Sequence, residues 1–456
     1  MTVLFLMSPA HGHLNRSFLL ARQLQADDYT IVYGHFGNHE LAHQIKQQGF
    51  SLHWMQTIPF GVGLDELIHQ NKQEPYLETL LDRLTKRTFH TRTAELASTM
   101  TLLKPSLVVL DVFMSTDFII LYPLLKAGKA SIILLQTMLS AYDDGLTPPL
   151  NSTFVPGNDS EHAIRNAWRR QYVQRWFNDL RERLLYLGQS QLRLIRWAFR
   201  RNSLPDEHRI RTDKIFHVGF HNVPEWITAP CTFDFPERQL LSFQHYLNAP
   251  LVNLERVEDI PPAYQTVVDC IKQEQQINQA IKLIYVSLGT AQQATKKGAE
   301  ERFFNRLIDA TRIQPDWRVI LAVRPELVDS IKPGLPNVFV FAHVPQLSLL
   351  QRADLFITHG GLNSVLEAIS HHVPMLVYPF NKQWDLPGNA ARVVAHGVGL
   401  MGDFLRDEAP TMARHIERLL TDTSYKNNLF TLRKHLLPSR KDEEQKYFSI
   451  FSPLNF

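Results

Sequence analysis

Cysteine is nearly absent: Cys231 and Cys270 are the only two in 456 residues, and they form neither a C-x-x-C nor a paired Cys/His spacing. A disulfide framework and a zinc finger are excluded, and the two read as ordinary thiols of a reducing compartment. Long apolar runs are missing too. The most apolar stretch, Ser106 to Leu139, is cut by Asp111, Asp117, Lys126, Lys129 and Gln136, leaving no uninterrupted run of about 18 residues to cross a bilayer. The opening MTVLFLMSPAHGHLNRS lacks a basic leader and is broken by Pro9, Gly12 and two histidines, so it reads as a buried strand, Val3 to Met7, and not as a signal peptide or anchor. A cytoplasmic protein, peripheral to a membrane at most, is expected. Charge of one sign is lacking: 48 Lys plus Arg against 45 Asp plus Glu leave +3, too near balance for a dedicated nucleic-acid binder. The loop after the first strand, SPAHGHLN, holds one glycine where a nicotinamide-dependent oxidoreductase needs G-x-G-x-x-G.

What is present is a globular composition, with 44% hydrophobic, 20% charged and 10% aromatic residues. At about 150 residues per domain the length allows two large or three ordinary domains. Two regions alternate short apolar runs with amphipathic stretches, the rhythm of a parallel α/β sheet. In the first, Val3 to Met7, Thr30 to Tyr33, Ser106 to Leu110 and Ser131 to Leu135 are predicted strands, and Leu14, Phe18, Ala21 and Leu24 or Leu20 share one face of a predicted helix. In the second, LIYVSLGT from Leu283, WRVILAVR from Trp317, VFVF from Val338, DLFIT from Asp354 and PMLVY from Pro374 are predicted strands. Between them Asn248 to Gln279 reads as a linker, with Pro261 and Pro262. Ala163 to Arg201 carries ten arginines with Trp168, Tyr172, Trp176, Phe177, Trp197 and Phe199 interleaved. That pattern fits a helical pair docking its aromatic face on the domain, or a lobe for a membrane surface or a lipophilic substrate.

The segment from His343 to Arg392, HVPQLSLLQRADLFITHGGLNSVLEAISHHVPMLVYPFNKQWDLPGNAAR, concentrates the chemistry. A buried strand runs into the glycine pair Gly360-Gly361 and then a helix start with Asn363 and Ser364. Free N–H groups and the positive end of the helix dipole then converge on one spot, which suits a phosphate. His359 stands beside that spot as a further donor, and Glu367 lies one turn along the helix. Taken alone, HGGLNS is equally an ordinary strand-to-helix turn capped by Asn or Ser. In the N-terminal half, His13 of the Gly-His pair and Asp111, at the end of the strand LVVL, are candidate partners, although Asp111 alone reads as well as a helix cap. His11 and His13 form an H-x-H pair with no third metal ligand nearby in the sequence.

The His343 to Arg392 segment closely resembles the donor-binding signature of the UDP-glycosyltransferase superfamily, family 1 of the glycosyltransferases, including its bacterial macrolide and carotenoid glucosyltransferases. That signature has Trp-x-Pro-Gln, a His-Gly-Gly-x-Asn-Ser turn, then Glu, Pro and an Asp/Glu-Gln pair. The resemblance implies the GT-B fold, two Rossmann-like domains facing across a cleft. It implies that His343 replaces the Trp that stacks on uracil, that Gln346 lies near the ribose, and that Glu367 accepts from the ribose hydroxyls. His359, Asn363, Ser364 and Thr290 of SLGT match diphosphate contacts. Asp385 matches the sugar-binding carboxylate when PGNAAR is aligned, with Leu386 in place of the expected Gln and Gln383 as its candidate substitute. His13 matches the catalytic base, and Asp111 the Asp that pairs with it.

These matches imply an N-terminal acceptor-binding domain (1–250), a linker (251–280), a C-terminal nucleotide-sugar domain (281–430) and a last helix (431–456, with Phe448, Phe451 and Phe456) returning to the first domain. The implied reaction is inverting transfer of a hexose, glucose foremost, from a UDP-sugar to a hydroxyl of a small lipophilic or phenolic acceptor, with no metal and no cofactor. A monomer or weak dimer is expected. The alternative is a nucleotide-sugar-binding subunit without catalysis of its own.

Overall fold

The computed structural model describes residues 1–37, 39–61, 76–247, 258, 260–289, 298–312, 314–332 and 334–436. The first sheet contains β1 (Thr2–Leu6), β2 (Thr30–His35), β3 (Ser51–Trp54), β4 (Leu107–Asp111) and β5 (Ser131–Gln136). A short antiparallel pair, β6 (Ile210–Arg211) and β7 (Gly219–Phe220), precedes its last strands, β8 (Glu225–Ile227) and β9 (Gln244–Tyr246). The order is β3-β2-β1-β4-β5-β8-β9, parallel throughout. The second sheet contains β10 (Lys282–Ser287), β11 (Trp317–Ala322), β12 (Val338–Phe341), β13 (Leu355–Thr358), β14 (Met375–Val377) and β15 (Gly399–Met401). Its order, β12-β11-β10-β13-β14-β15, is again parallel.

Strands buried on both faces read as continuous apolar runs, which is why TVLFL, LVVL and SIILL were legible as strands. Alternate residues serve opposite faces. In β1, Val3 and Phe5 pack with Leu14, Phe18, Ala21 and Leu24 of the helix His11–Ala26, while Leu4 and Leu6 join a second core that continues into the C-terminal sheet. In β10, Ile284 and Val286 belong to a third core.

Each sheet reverses its direction of growth once, between β1 and β4 and between β10 and β13. Open parallel sheets gather ligands at the strand ends beside such a reversal. Leu6 is paired with Leu110, so the segment carrying His13 and the residue Asp111 leave the sheet side by side. Ser287 is paired with Thr358, which places His359 to Gly361 beside Gly289 in the same way.

The segment read as a linker contains a helix, Pro262–Ile277, whose Tyr264, Val268 and Ile271 are buried at helical spacing. The two domains touch closely. Gly388 has no room for a side chain, since a Cβ there would lie 2.1 Å from the Leu150 carbonyl oxygen. Buried Arg392 donates to Asp234 Oδ1 at 2.6 Å. The last described helix, Ser424–Leu436, contacts the turn Cys231–Phe233 of the first domain. Phe448, Phe451 and Phe456 lie outside the described residues.

The arginine-rich region is the expected helical pair, Glu161–Leu185 and Gln191–Arg201. Trp168 is buried and Trp197 and Phe199 pack on the core, but Trp176 and Phe177 face outward, so the aromatic face docks only in part.

Candidate active site

His13 does not sit in an extended loop: the helix His11–Ala26 begins two residues earlier. Its Nδ1 lies 2.7 Å from Asp111 Oδ2 and 3.0 Å from Thr137 Oγ1, while Nε2 makes no hydrogen bond among the described residues. Asp111 is fully buried and does both jobs the sequence left open. Its Oδ1 accepts from the Phe113 N–H at 2.9 Å, capping the short turn Val112–Met114, and its Oδ2 accepts from the Ser8 N–H at 3.2 Å and meets His13. Burial disfavours the charged imidazole, but the charge and hydrogen bond of Asp111, helped by the charge of Asp385, outweigh it and raise the His13 pKa. His11 turns away to Gln44, with Nδ1 3.2 Å from Oε1, so the H-x-H pair is split. Among the described residues no group of three His, Cys, Asp or Glu is placed to hold a metal ion.

Across the cleft, Gly360 has φ +93°, and a Cβ there would meet Val377 at 2.8 Å and the Leu386 carbonyl at 3.2 Å, so the turn requires glycine. The helix Leu362–Ser370 starts immediately afterwards. Its Asn363 amide reaches the Gly12 carbonyl at 3.4 Å, which brings this N-terminus next to that of His11–Ala26. Two helix dipoles therefore point their positive ends at one gap. The His359 ring is wedged between backbones: a Cβ on Gly289 or Gly361 would come within 2.4 or 2.7 Å of it. Burial pushes its pKa down to about 4, so at neutral pH it is an uncharged imidazole.

Gln346, Ser364 and Glu367 form one network. The Gln346 amide donates to Glu367 Oε2 at 2.6 Å and to Ser364 Oγ at 3.3 Å, and the Tyr285 hydroxyl donates to Gln346 Oε1 at 3.0 Å. Asp385 precedes the helix Leu386–Ala395 and accepts from Asn389 Nδ2 at 2.9 Å; the same amide reaches the Gly360 carbonyl at 3.0 Å. Burial raises the Asp385 carboxyl, against the hydrogen bond from Asn389 and the charges of His13 and Arg16. Leu386 is buried, Gln383 is exposed, and His343 is exposed without a ring contact among the described residues. Thr290 lies outside the described residues.

Five residues join the site that the sequence did not single out. Arg16, one turn past His13, is buried, and burial lowers its pKa to about 10 while the charges of Glu367 and Asp385 in the opposite domain hold it up. Phe113 meets the His13 ring edge-on at 4.7 Å and faces Trp384 from the other domain at 5.5 Å. Phe216 lies 5.7 Å from Trp384. His217, 5.1 Å from Phe113, is buried with both ring nitrogens unbonded among the described residues. The i, i+3 spacing of His13 and Arg16 was the available signal for Arg16. Nothing in the local pattern pointed to the aromatic group.

Residues 282–437 match the family model described as UDP-glucoronosyl and UDP-glucosyl transferase. That match spans about a third of the chain, which resembles the UDP-glycosyltransferase family there. Its similarity to curated members is concentrated: an uncharacterized UDP-glucosyltransferase, YdhE, of Bacillus subtilis (strain 168) is 34% identical over 32% of this chain and 35% of its own length. The zeaxanthin glucosyltransferase of Pantoea ananas is 32% identical over 34% of each chain. The chain thus matches about a third of the length of these relatives. Solved structures agree along nearly the whole chain. The spinosyn forosaminyltransferase SpnP has a TM-score of 0.61 at 17% identity, covering 99% of this chain and 100% of its own. The glycosyltransferase VinC, solved in complex with DTDP, has a TM-score of 0.61 at 16% identity and 99% coverage of both. At that identity they establish the GT-B fold. The family match contains the glycine turn, Glu367 and Asp385, whereas His13 and Asp111 lie outside it.

Proposed function

We propose that the chain is an inverting, UDP-dependent hexosyltransferase acting on a hydroxyl of a small lipophilic or phenolic acceptor. The observation that carries this reading is the 2.7 Å contact of His13 with Asp111 at the first sheet reversal, facing the glycine turn at the second. Asp111 holds the proton on Nδ1, leaving Nε2 to accept. As Nε2 takes the acceptor proton, the acceptor oxygen bonds to the anomeric carbon, the bond to the diphosphate breaks, and UDP leaves with the electron pair. One displacement inverts the carbon and needs no carboxylate nucleophile.

Negative charge grows on the diphosphate, where the N–H groups after Gly360 and the neutral His359 imidazole are suited to receive it. This arrangement supports metal-independent catalysis. The ribose falls to Glu367 and Gln346, the sugar hydroxyls to Asp385, with Gln383 as the candidate second contact. Thr290 is proposed as a further diphosphate contact and His343 as the uracil-stacking residue. Phe113, Phe216 and Trp384 give aromatic walls beside His13, which suits an apolar ring. Glucose and a carotenoid- or macrolide-like acceptor agree with relatives named zeaxanthin glucosyltransferase and oleandomycin glycosyltransferase.

The test is mass spectrometry of purified protein incubated with UDP-glucose, UDP-galactose, UDP-N-acetylglucosamine or TDP-glucose and a panel of a phenol, a flavonoid, a macrolide and a terpenoid alcohol. A product one hexose heavier is expected with UDP-glucose. UDP binding without any product from the panel would favour a binding subunit.

A further inference from the structure

The helix Glu161–Leu185 fully buries apolar side chains only in its first turns, at Ile164, Ala167 and Trp168, and is held beyond them by polar contacts such as Arg175 to the Thr212 and Lys214 carbonyls. Beyond them Val173, Trp176, Phe177, Leu180 and Leu184 follow at i, i+3, i+4, i+7 and i+11, one stripe on a helix of 3.6 residues per turn. A stripe of this kind normally faces a core. Here it faces outward: Trp176 is 60% exposed, Phe177 57% and Leu184 77%. The helix Tyr76–Thr85 adds a second exposed row, Leu77, Leu81 and Leu84, at i, i+4 and i+7.

The two helices are fastened together at the end of the first. Arg83 donates to the Gln189 carbonyl at 3.1 Å, pairs with Glu182 at 3.2 Å and lies 3.9 Å over the Tyr186 ring. Tyr76 stacks on the same Tyr186 at 5.6 Å. The exposed rows are therefore carried by two helices fixed to one another, the fastening lying on the side of the long helix away from its stripe. Soluble monomers rarely leave a contiguous apolar surface of this kind uncovered.

Cations border the stripe. By helical spacing Arg170 and Arg181 fall along one side, Arg183 along the other, and Arg169 at its start. Arg183 pairs with Asp179, whereas Arg169, Arg170 and Arg181 have no ion pair among the described residues. An apolar stripe with Trp and Phe between arginine borders matches an interface with apolar chains below and anionic groups above.

We propose that this face docks on an anionic lipid surface, the long helix lying in the plane of the interface with its leucines, Trp176 and Phe177 in the acyl boundary and its arginines among the headgroups. No described helix is long and apolar enough to cross a membrane, so the contact is a surface one. A second copy fits poorly, since a symmetric pair sets each arginine border against another. The inference goes beyond the transfer reaction and stands without it.

The test is cosedimentation of the full chain with vesicles of phosphatidylcholine alone or mixed with phosphatidylglycerol. Binding to the mixed vesicles is expected to be at least about tenfold tighter and to weaken with salt. Trp176→Ser with Leu184→Ser, at exposed positions, is expected to leave thermal unfolding unchanged and to weaken binding at least about tenfold. Arg170→Gln with Arg181→Gln is expected to remove the preference for the anionic vesicles, at about fivefold per arginine. Absence of binding to both vesicles, undiminished binding by the Trp176/Leu184 variant, or a wild-type dimer that this variant dissolves would each overturn the proposal.

Discussion

Asp111→Asn changes one atom of a fully buried side chain, and the structure dictates the consequence. The Phe113 N–H at 2.9 Å requires an acceptor, so the amide oxygen must stay on that side and the NH2 group must turn toward Ser8 and His13. The Ser8 N–H, now 3.2 Å from an acceptor, then faces a donor. One buried hydrogen bond left unmade costs about 1–3 kcal/mol of stability. His13 can meet the NH2 group only with an unprotonated Nδ1, so its proton moves to Nε2, the atom required to accept. Losing a positioned base lowers the rate about 10²- to 10⁴-fold.

The pH profile gives an independent sign. Burial lowers the His13 pKa, and Asp111, with Asp385 behind it, raises it above the ordinary 6.5. The base works unprotonated, so wild-type kcat/KM is expected to fall as pH drops below that raised value. With the carboxylate gone, burial prevails and the acid limb moves to lower pH. Rates with UDP-glucose across pH, beside UDP affinity by calorimetry, measure both effects. A variant with the wild-type rate and an unmoved acid limb would refute the base assignment and leave Asp111 as a turn cap alone.

Three further outcomes are expected. His13→Ala is expected to lower turnover about 10²-fold or more with UDP affinity nearly unchanged, because the proposed role of Nε2 is confined to the acceptor proton; calorimetry and steady-state rates check it. Activity is expected to survive EDTA, since the proposed site gives the diphosphate to backbone N–H groups and His359; loss that Mg²⁺ or Mn²⁺ restores counts against the site. Donor choice is relaxed: Leu386 is buried and offers no amide, so an unmatched sugar hydroxyl, at about 1–3 kcal/mol, weakens the preference for one hexose about tenfold or more unless Gln383 swings in. Relative rates with three UDP-hexoses for wild type, Leu386→Gln and Gln383→Ala decide it, and a strict wild type unaffected by Gln383→Ala rejects both ideas.

The strands were legible because a parallel sheet buried on both faces writes each strand as an unbroken apolar run, as in LVVL and LFIT. The glycine turn was legible because a left-handed residue packed against Val377 leaves only glycine at position 360. His13 and Asp111 came from motif likeness, and their contact spans 98 positions that no local pattern encodes. The helix Pro262–Ile277 was missed because its polar face and two prolines read as a loop, although proline suits a first helical turn. Trp384 and Phe216 were missed for a different reason. Their roles arise where the two domains face each other, and a periodicity reports only the element that carries it.

The same cross-domain dependence bears on the proposed chemistry. His13 and Arg16 lie one turn apart on one helix, and both feel Asp385 of the other domain. That alignment exists only while the domains stay in register, which Gly388 against Leu150, and Arg392 with Asp234, help to hold. Arg392→Met removes one partner of a buried pair, a loss of about 3–5 kcal/mol. The low end is expected, because Arg238 remains 3.6 Å from the same carboxylate. Denaturant unfolding measures that loss. The His13–Asp111 contact lies wholly within the first domain while Asp385 adds its charge from the second, so the acid limb of kcat/KM is expected to move only modestly to lower pH while the donor KM rises. An unmoved acid limb together with a donor KM that stays constant as stability falls would mean that domain register does not align the donor carboxylates with the helix of His13 and Arg16.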